Sequence, residues 1–229
     1  STLQLGIGTI PDAVLKFLSD KKDLGIHSEM FSDGVVDLYE KGVITGNAKS
    51  INKGKMVAAF LMGTDKLYKF VDNNPDVMML TVDYVNDPFV IAQNHKMVAI
   101  NSCLQVDFNG QVNSESMGPK QFSGIGGQLD YVRGAAGCPD GKAILAMPST
   151  AKHGEISRIV PVFPEGTTVT TTRADVHYIV TEYGIANLRG KSLRERAKLL
   201  IGIAHPKFRD GLMAAYEARY GKEEEKENG

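Results

Sequence analysis

The chain has 229 residues, is 42% hydrophobic and 23% charged, and carries a formal net charge of −1, as ordinary water-soluble globular domains do. Near-neutrality leaves no electrostatic footprint for nucleic acid or an acidic membrane surface, and no apolar run approaches the roughly 20 residues needed to cross a bilayer. Two cysteines, Cys103 and Cys138, make neither a disulfide framework nor a zinc CxxC pair, and with no basic leader at the start of the chain a cytoplasmic location is expected.

Strand-like and helix-like segments alternate, which predicts an α/β domain with a mixed, mainly parallel sheet flanked by helices. Residues 2–7 are predicted as a strand. Gly6 and Gly8 then form a tight turn, and Pro11 opens a helix whose apolar stripe is Val14, Phe17 and Leu18. Residues 24–31 form the second predicted strand, closed by Ser32-Asp33-Gly34, and a short helix covers 35–41. The continuous apolar run 55–62 predicts a strand buried on both faces. Thr64 caps the next helix, with Leu67, Phe70 and Val71 facing inward.

Residues 77–85 are predicted as a strand and 89–94 as a helix after Asn86-Asp87-Pro88. The segment 97–108 alternates into Asn109-Gly110, a strong hairpin signal. A glycine-rich loop, 122–128, leads into a helix over 129–136. Further strands are predicted at 143–147, 157–163, 167–172 and 176–181, with Gly166 marking an antiparallel addition to the sheet. Ser192 and Glu195 form an S-x-x-E capping box for a helix over 193–203, and a last helix spans 208–220. The tail 222–229 has no apolar residue and is predicted to be disordered, leaving one domain over 1–221. Only Ser1 and Thr2 precede Leu3-Gln4-Leu5, so the chain reads as part of a longer polypeptide.

Three features stand out chemically. Gly6-Ile7-Gly8 lies at a strand-to-helix turn, where backbone can approach a ligand and a helix N-terminus attracts anions. With Glu29 about 20 residues on, it suggests a nicotinamide-dinucleotide site, but Pro11 occupies the place of that fingerprint's third glycine. Glu29 itself falls at the carboxyl end of a strand, on the same face as His27, where open α/β sheets bind ligands. Nucleophile, general base and ribose ligand are all open to it; by position alone, a solvated or salt-bridged acid is the commoner outcome for one of 27 acidic residues. Finally, Gly124-Ile-Gly-Gly127 precedes a helix, so its amides can hold a carboxylate or oxyanion, while no GK[ST] ending supports a P-loop.

Other residues offer less. His95, His153, His177 and His205 lack metal-ligand pairing, so no metal site is expected. There is no GxSxG elbow. Lys191, Arg194, Arg196 and Lys198 read as a solvated helix face balanced by Glu195.

Three stretches together resemble the acetyl-CoA hydrolase/transferase family, the class I CoA-transferases. They are the 180–197 segment VTEYGIANLRGKSLRERA with IAHPKFRD following, GIHSEMFSDG at 25–34, and GIGGQLDYVRG at 124–134. The similarity covers nearly the whole chain and resembles the C-terminal half of such an enzyme, of the 4-hydroxybutyrate or butyryl-CoA:acetate type.

The resemblance implies a CoA-transferase (NagB/RpiA-like) fold, with Glu29 as nucleophile and a glutamyl-CoA thioester as intermediate. It implies oxyanion or CoA-binding amides at Ile7, Gly126 and Gly127, and site-lining roles for Glu182 and Asn86. The implied partners are an acyl-CoA, a short-chain carboxylate and the enzyme's N-terminal half, absent from this chain, in a homo-oligomer. No tightly bound cofactor is implied, coenzyme A serving as substrate. A carboxylate suits that chemistry because it is ionised at neutral pH, with a reference pKa of about 4.3, and needs no separate base. Hydrolysis of acetyl-CoA within the same family and a nicotinamide-binding oxidoreductase domain remain the alternatives.

Overall fold

The computed structural model describes residues 1–221; the predicted disordered tail lies outside the described residues. Its centre is an eight-stranded sheet. Five strands come first in the chain: β1 (Thr2–Leu5), β2 (Gly25–Phe31), β3 (Met56–Leu61), β4 (Val77–Met79) and β5 (Met97–Ser102). With the later strands Lys142–Ala146, Tyr178–Thr181 and Gly184–Asn187, the spatial order is Gly184–Asn187, Tyr178–Thr181, Lys142–Ala146, β5, β1, β2, β3, β4. All neighbours are parallel except the last hairpin, where Thr181 pairs with Gly184.

Helices α1 (Thr9–Lys16), α2 (Asp33–Glu40) and α3 (Asp65–Val71) accompany the β1–β4 half. Their apolar cluster includes Leu3, Leu5, Leu15, Ile26, Phe31, Val35 and Leu67. Two short helices, α4 (Val82–Val85) and α5 (Pro88–Ala92), lead to α6 (Gln128–Gly137), and α7 (Leu193–Gly202) and α8 (Pro206–Tyr220) end the fold. These pack a second cluster around Ile91, Met97, Tyr131, Leu145, Leu200 and Tyr216. The Ser192–Glu195 box forms in both directions.

Several predicted elements are shorter than expected. The helix after the first turn ends at Lys16, so Phe17 becomes its C-cap and is 81% exposed instead of joining the stripe. The predicted strand over 77–85 stops at Met79, and Thr81 begins α4, whose first turn holds Asp83 as helix N-termini favour. In β3, Met56, Val57 and Ala58 are buried, but Phe60 and Met62 emerge at the carboxyl end. Pro161 and Pro164, which cannot donate to a ladder, reduce 157–163 to short pairings, and 167–172 keeps a single bridge, Thr171 to Val112. The antiparallel addition to the main sheet is therefore Gly184–Asn187, not a strand at Gly166.

The predicted hairpin forms, with Gly110 at φ 85° and its amide donating to the Asp107 carbonyl. The run leading to it breaks at Cys103 and Leu104, which carries the chain across the carboxyl edge of the sheet.

At the opposite end, Lys49 is wholly buried, its ammonium donating to the Ile26 carbonyl at 2.9 Å and the Lys55 carbonyl at 2.8 Å. Burial lowers its pKa from 10.5 to about 8. Between those values the unfolded chain binds a proton that the folded chain has lost, so stability should rise as pH climbs from about 8 to 10.5. Denaturation midpoints measured over that interval should show the rise in the wild type and lack it in Lys49→Met; parallel profiles would refute it.

Candidate active site

β1 lies at the switch point of the sheet, with β2 on one side and β5, reached only after β4, on the other. Open α/β sheets bind ligands outside the carboxyl ends of the strands at such a point. A cleft of about 380 Å³ sits there, walled by the ends of β1, β2 and β5 and by the glycine loop. Ile7 and Glu29 line it, as do Gln4, Asn101, Gly126 and Gly127.

The strands open the cleft by parting. β1 and β2 are in register at Leu3 and Ile26. Beyond that, the Ser28 hydroxyl substitutes for the ladder, accepting from the Leu5 amide at 3.2 Å and donating to the Leu5 carbonyl at 3.3 Å. On the other side, the β1–β5 contacts run to Gly6, whose amide donates to the Ile100 carbonyl at 2.8 Å. Ile7 follows, 55% exposed at the rim. Gly6 has a packing reason to be glycine: a Cβ there would sit 2.5 Å from Asn101 Oδ1. That close approach accounts for Gly6 without any dinucleotide.

Glu29 is half-buried, and its Oε2 accepts a hydrogen bond from the Gly127 amide at 3.2 Å. Gly127 is the N-cap of α6, a helix of 10 residues, so the carboxylate lies where unpaired amides and the helix dipole favour negative charge. Gly126, at φ 59°, makes the preceding left-handed turn without Cβ strain. Asn86 stands close by: a Cβ on Gly127 would lie 2.5 Å from its Nδ2 and 2.8 Å from Glu29 Oε2. The Asn86 Oδ1 is buried with no hydrogen-bond partner among the described residues. Five of the six predicted site residues are thus gathered around one cleft corner.

Glu182 is placed apart from them. It sits in the turn after Tyr178–Thr181, exposed, and does not line the cleft. Its carboxylate accepts from the Ser149 amide at 2.8 Å and from the Ser149 hydroxyl at 2.6 Å. Burial raises its pKa, but the hydrogen bonds from Ser149 and from its own amide, with the His205 charge, together outweigh that and hold it below the ordinary value.

Cys103 also lines the cleft. Burial pushes the Cys103 thiol up to about 12, so it stays protonated at neutral pH. His27, on the Glu29 face of β2, is lowered to about 4, chiefly by burial, and is neutral. Among the described residues no group of three His, Cys, Asp or Glu could hold a metal ion, and no helix is long and apolar enough to cross a membrane. A separate cavity of about 360 Å³ between α1 and α2 is a charged groove with Asp12, Lys16, Asp33, Asp37 and Lys41 on its walls, and holds none of the predicted site residues.

Sequence reasoning missed Gln4 and Asn101, a buried reciprocal amide pair on the cleft floor, with hydrogen bonds of 3.0 and 2.9 Å. The available signal was a polar residue inside each of two apolar strands, Leu3-Gln4-Leu5 and Ala99-Ile-Asn101. It also missed Asp130 on the first turn of α6, whose carboxyl is raised by burial and then by the charge of Glu29.

Residues 63–216 match the acetyl-CoA hydrolase/transferase C-terminal domain. A 4-hydroxybutyrate coenzyme A transferase of Clostridium kluyveri is 60% identical over 220 residues, covering 96% of this chain and 51% of that protein. A succinyl-CoA:acetate/propanoyl-CoA:succinate CoA transferase of Fasciola hepatica is 56% identical, over 94% of this chain and 45% of that protein. The crystal structure of RipA from Yersinia pestis superposes with a TM-score of 0.92 at 46% identity, over 97% of this chain and 50% of that one. The chain thus spans about half the length of the relatives it matches.

Proposed function

Because the chain belongs to the acetyl-CoA hydrolase/transferase family, we propose that it supplies the nucleophile-bearing half of a CoA-transferase acting on short-chain carboxylates. The substrates proposed are 4-hydroxybutyrate or butyrate with acetate. The observation that carries the reading is the Glu29 carboxylate at the switch-point cleft, 3.2 Å from the Gly127 amide. The 60% identity to the 4-hydroxybutyrate enzyme supports the substrate class.

The chemistry proceeds by exchange at two carbonyls. Glu29 attacks the acyl-CoA thioester carbonyl, forming a C–O bond as the C–S bond breaks, which leaves a mixed anhydride and CoA thiolate. The thiolate attacks the glutamyl carbonyl, forming a C–S bond and expelling the free carboxylate. An acceptor carboxylate then reverses both steps and leaves as the new acyl-CoA. Each addition places negative charge on an oxygen. The Gly127 amide already touches Glu29 Oε2, the atom that bears this charge when the glutamyl carbonyl is attacked. Ile7 and Gly126, on the same cleft, are assigned to the same work, and Asn86 to orienting the glutamyl group. One such donor is commonly worth about 10²–10³ in rate.

A single carboxylate with no Ser–His pair suits this mechanism, since glutamyl-CoA is itself a thioester and close in energy to the incoming one. A serine ester would hold the acyl group too firmly. We assign Glu182 a positioning role. The remaining acyl and CoA contacts are assigned to an N-terminal half of the same enzyme, consistent with relatives about twice as long.

The test is direct trapping. Incubating the intact polypeptide with acyl-CoA and digesting it should show CoA mass, or its hydroxylamine-cleaved product, on the peptide that contains Glu29. An adduct on another peptide would reassign the nucleophile. Release of CoA at full rate with no acceptor carboxylate would favour hydrolysis over transfer.

A further inference from the structure

Val85 closes the one-turn helix α4, where main-chain carbonyls run out of helical partners. Its oxygen accepts two side-chain hydrogen bonds, from the Tyr131 hydroxyl at 2.9 Å and from His27 Nε2 at 2.9 Å. All three residues are wholly buried. A carbonyl can only accept, so Nε2 carries the imidazole proton and Nδ1 is bare; Nδ1 has no partner among the described residues.

The sequence positions of the two donors are informative. His27 precedes Glu29 by two residues on β2, and Tyr131 follows Gly127 by four, one turn along α6. Val85 is followed directly by Asn86. One carbonyl oxygen therefore joins the strand that carries the carboxylate, the helix whose first amide touches it and the corner that holds the neighbouring asparagine.

We propose that His27 and Tyr131 are positioning residues for CoA transfer: by sharing the Val85 carbonyl, they set the approach of the Glu29 carboxylate to the Gly127 amide and to Asn86. The inference rests on the reading of Glu29 as nucleophile. Packing alone does not call for these residues, since phenylalanine and leucine would fill the same space without a donor. Both donors also keep their protons. Burial holds His27 neutral, near 4, and burial together with the Glu29 charge raises the Tyr131 phenol, so neither loses its bond at working pH. Displacing reacting groups by about 1 Å can slow a reaction by about 10²-fold.

The experiment compares three variants of the intact polypeptide, each checked by thermal melting, in a steady-state assay and in single-turnover formation of the Glu29 adduct. Tyr131→Phe removes one oxygen atom. His27→Leu removes the ring donor, and His27→Gln restores an N–H at the reach of Nε2. Tyr131→Phe and His27→Leu should lower kcat and the adduct-forming rate about tenfold or more, with KM for acyl-CoA within about twofold of wild type. His27→Gln should recover part of the loss.

Wild-type kcat and adduct rate in folded Tyr131→Phe would overturn the proposal, as would a loss that appears only in KM. If His27→Leu does not fold, Tyr131→Phe decides. Failure of the underlying reading looks different: the wild type itself would then form no adduct on Glu29.

Discussion

Glu29→Gln should reduce CoA transfer by at least about 10³-fold while leaving the melting temperature nearly unchanged. The size of the effect follows from the proposed role: an amide oxygen is too weak a nucleophile to displace a thiolate, so the covalent route is closed. Preserved stability follows from the structure. Glutamine has the same shape, and its carbonyl oxygen can still accept from the Gly127 amide, now at 3.2 Å from Glu29 Oε2. Among the described residues Glu29 forms no ion pair, so losing its charge strands no partner cation there; Gly127 contributes an amide, not a charge. Initial rates of acyl exchange for the two proteins, with melting curves, settle the matter. A folded Glu29→Gln protein with full activity would remove Glu29 from the chemistry.

Gly127→Ala is expected to be nearly as damaging, for a steric reason. The backbone at Gly127, φ −88°, accepts alanine without strain. The added methyl, however, would lie 2.5 Å from Asn86 Nδ2, 2.8 Å from Glu29 Oε2 and 3.1 Å from Glu29 Cδ. All three atoms belong to side-chain ends, so the fold can yield by moving them, and they are the groups the proposed reaction needs in place. Activity should fall about 10²-fold or more, with a small change in melting temperature. Gly211→Ala is the matched control. It lies inside α8 with open space around a Cβ, so activity should hold and stability should rise by a few tenths to about 1 kcal/mol. Equal activity in the two variants would show that the crowding at Gly127 is harmless.

Much of the site was legible because its chemistry is local in kind. A carboxylate at a strand's carboxyl end and a glycine loop ahead of a helix are both readable from alternation and turn residues. Resemblance to a known family then joined them. Residues 25–34 and 124–134 carry that resemblance, and the structure places Glu29 and Gly127 from these two stretches in contact. Glu182 fared differently. It belongs to the 180–197 stretch; its carboxylate bonds Ser149, and it is not among the residues lining the cleft. Motif similarity reports which residue type stands at a position, and not what that side chain will bond.

From the sequence alone came the α/β class, the mainly parallel sheet, the Asn109-Gly110 hairpin and the Ser192–Glu195 cap, since each depends on residue period or on groups a few positions apart. Element ends did not follow as well: Phe17 and the 80–85 segment left their predicted elements because capping and sheet pairing stop where neighbours stop. Only the tertiary structure decided that Gln4 pairs with Asn101 across 97 residues, and that His27 and Tyr131 share a carbonyl lying 58 and 46 residues from them. Such meetings are set by strand order and helix packing, which bring distant segments to one edge of the sheet, and no local pattern in the chain encodes a contact of that reach.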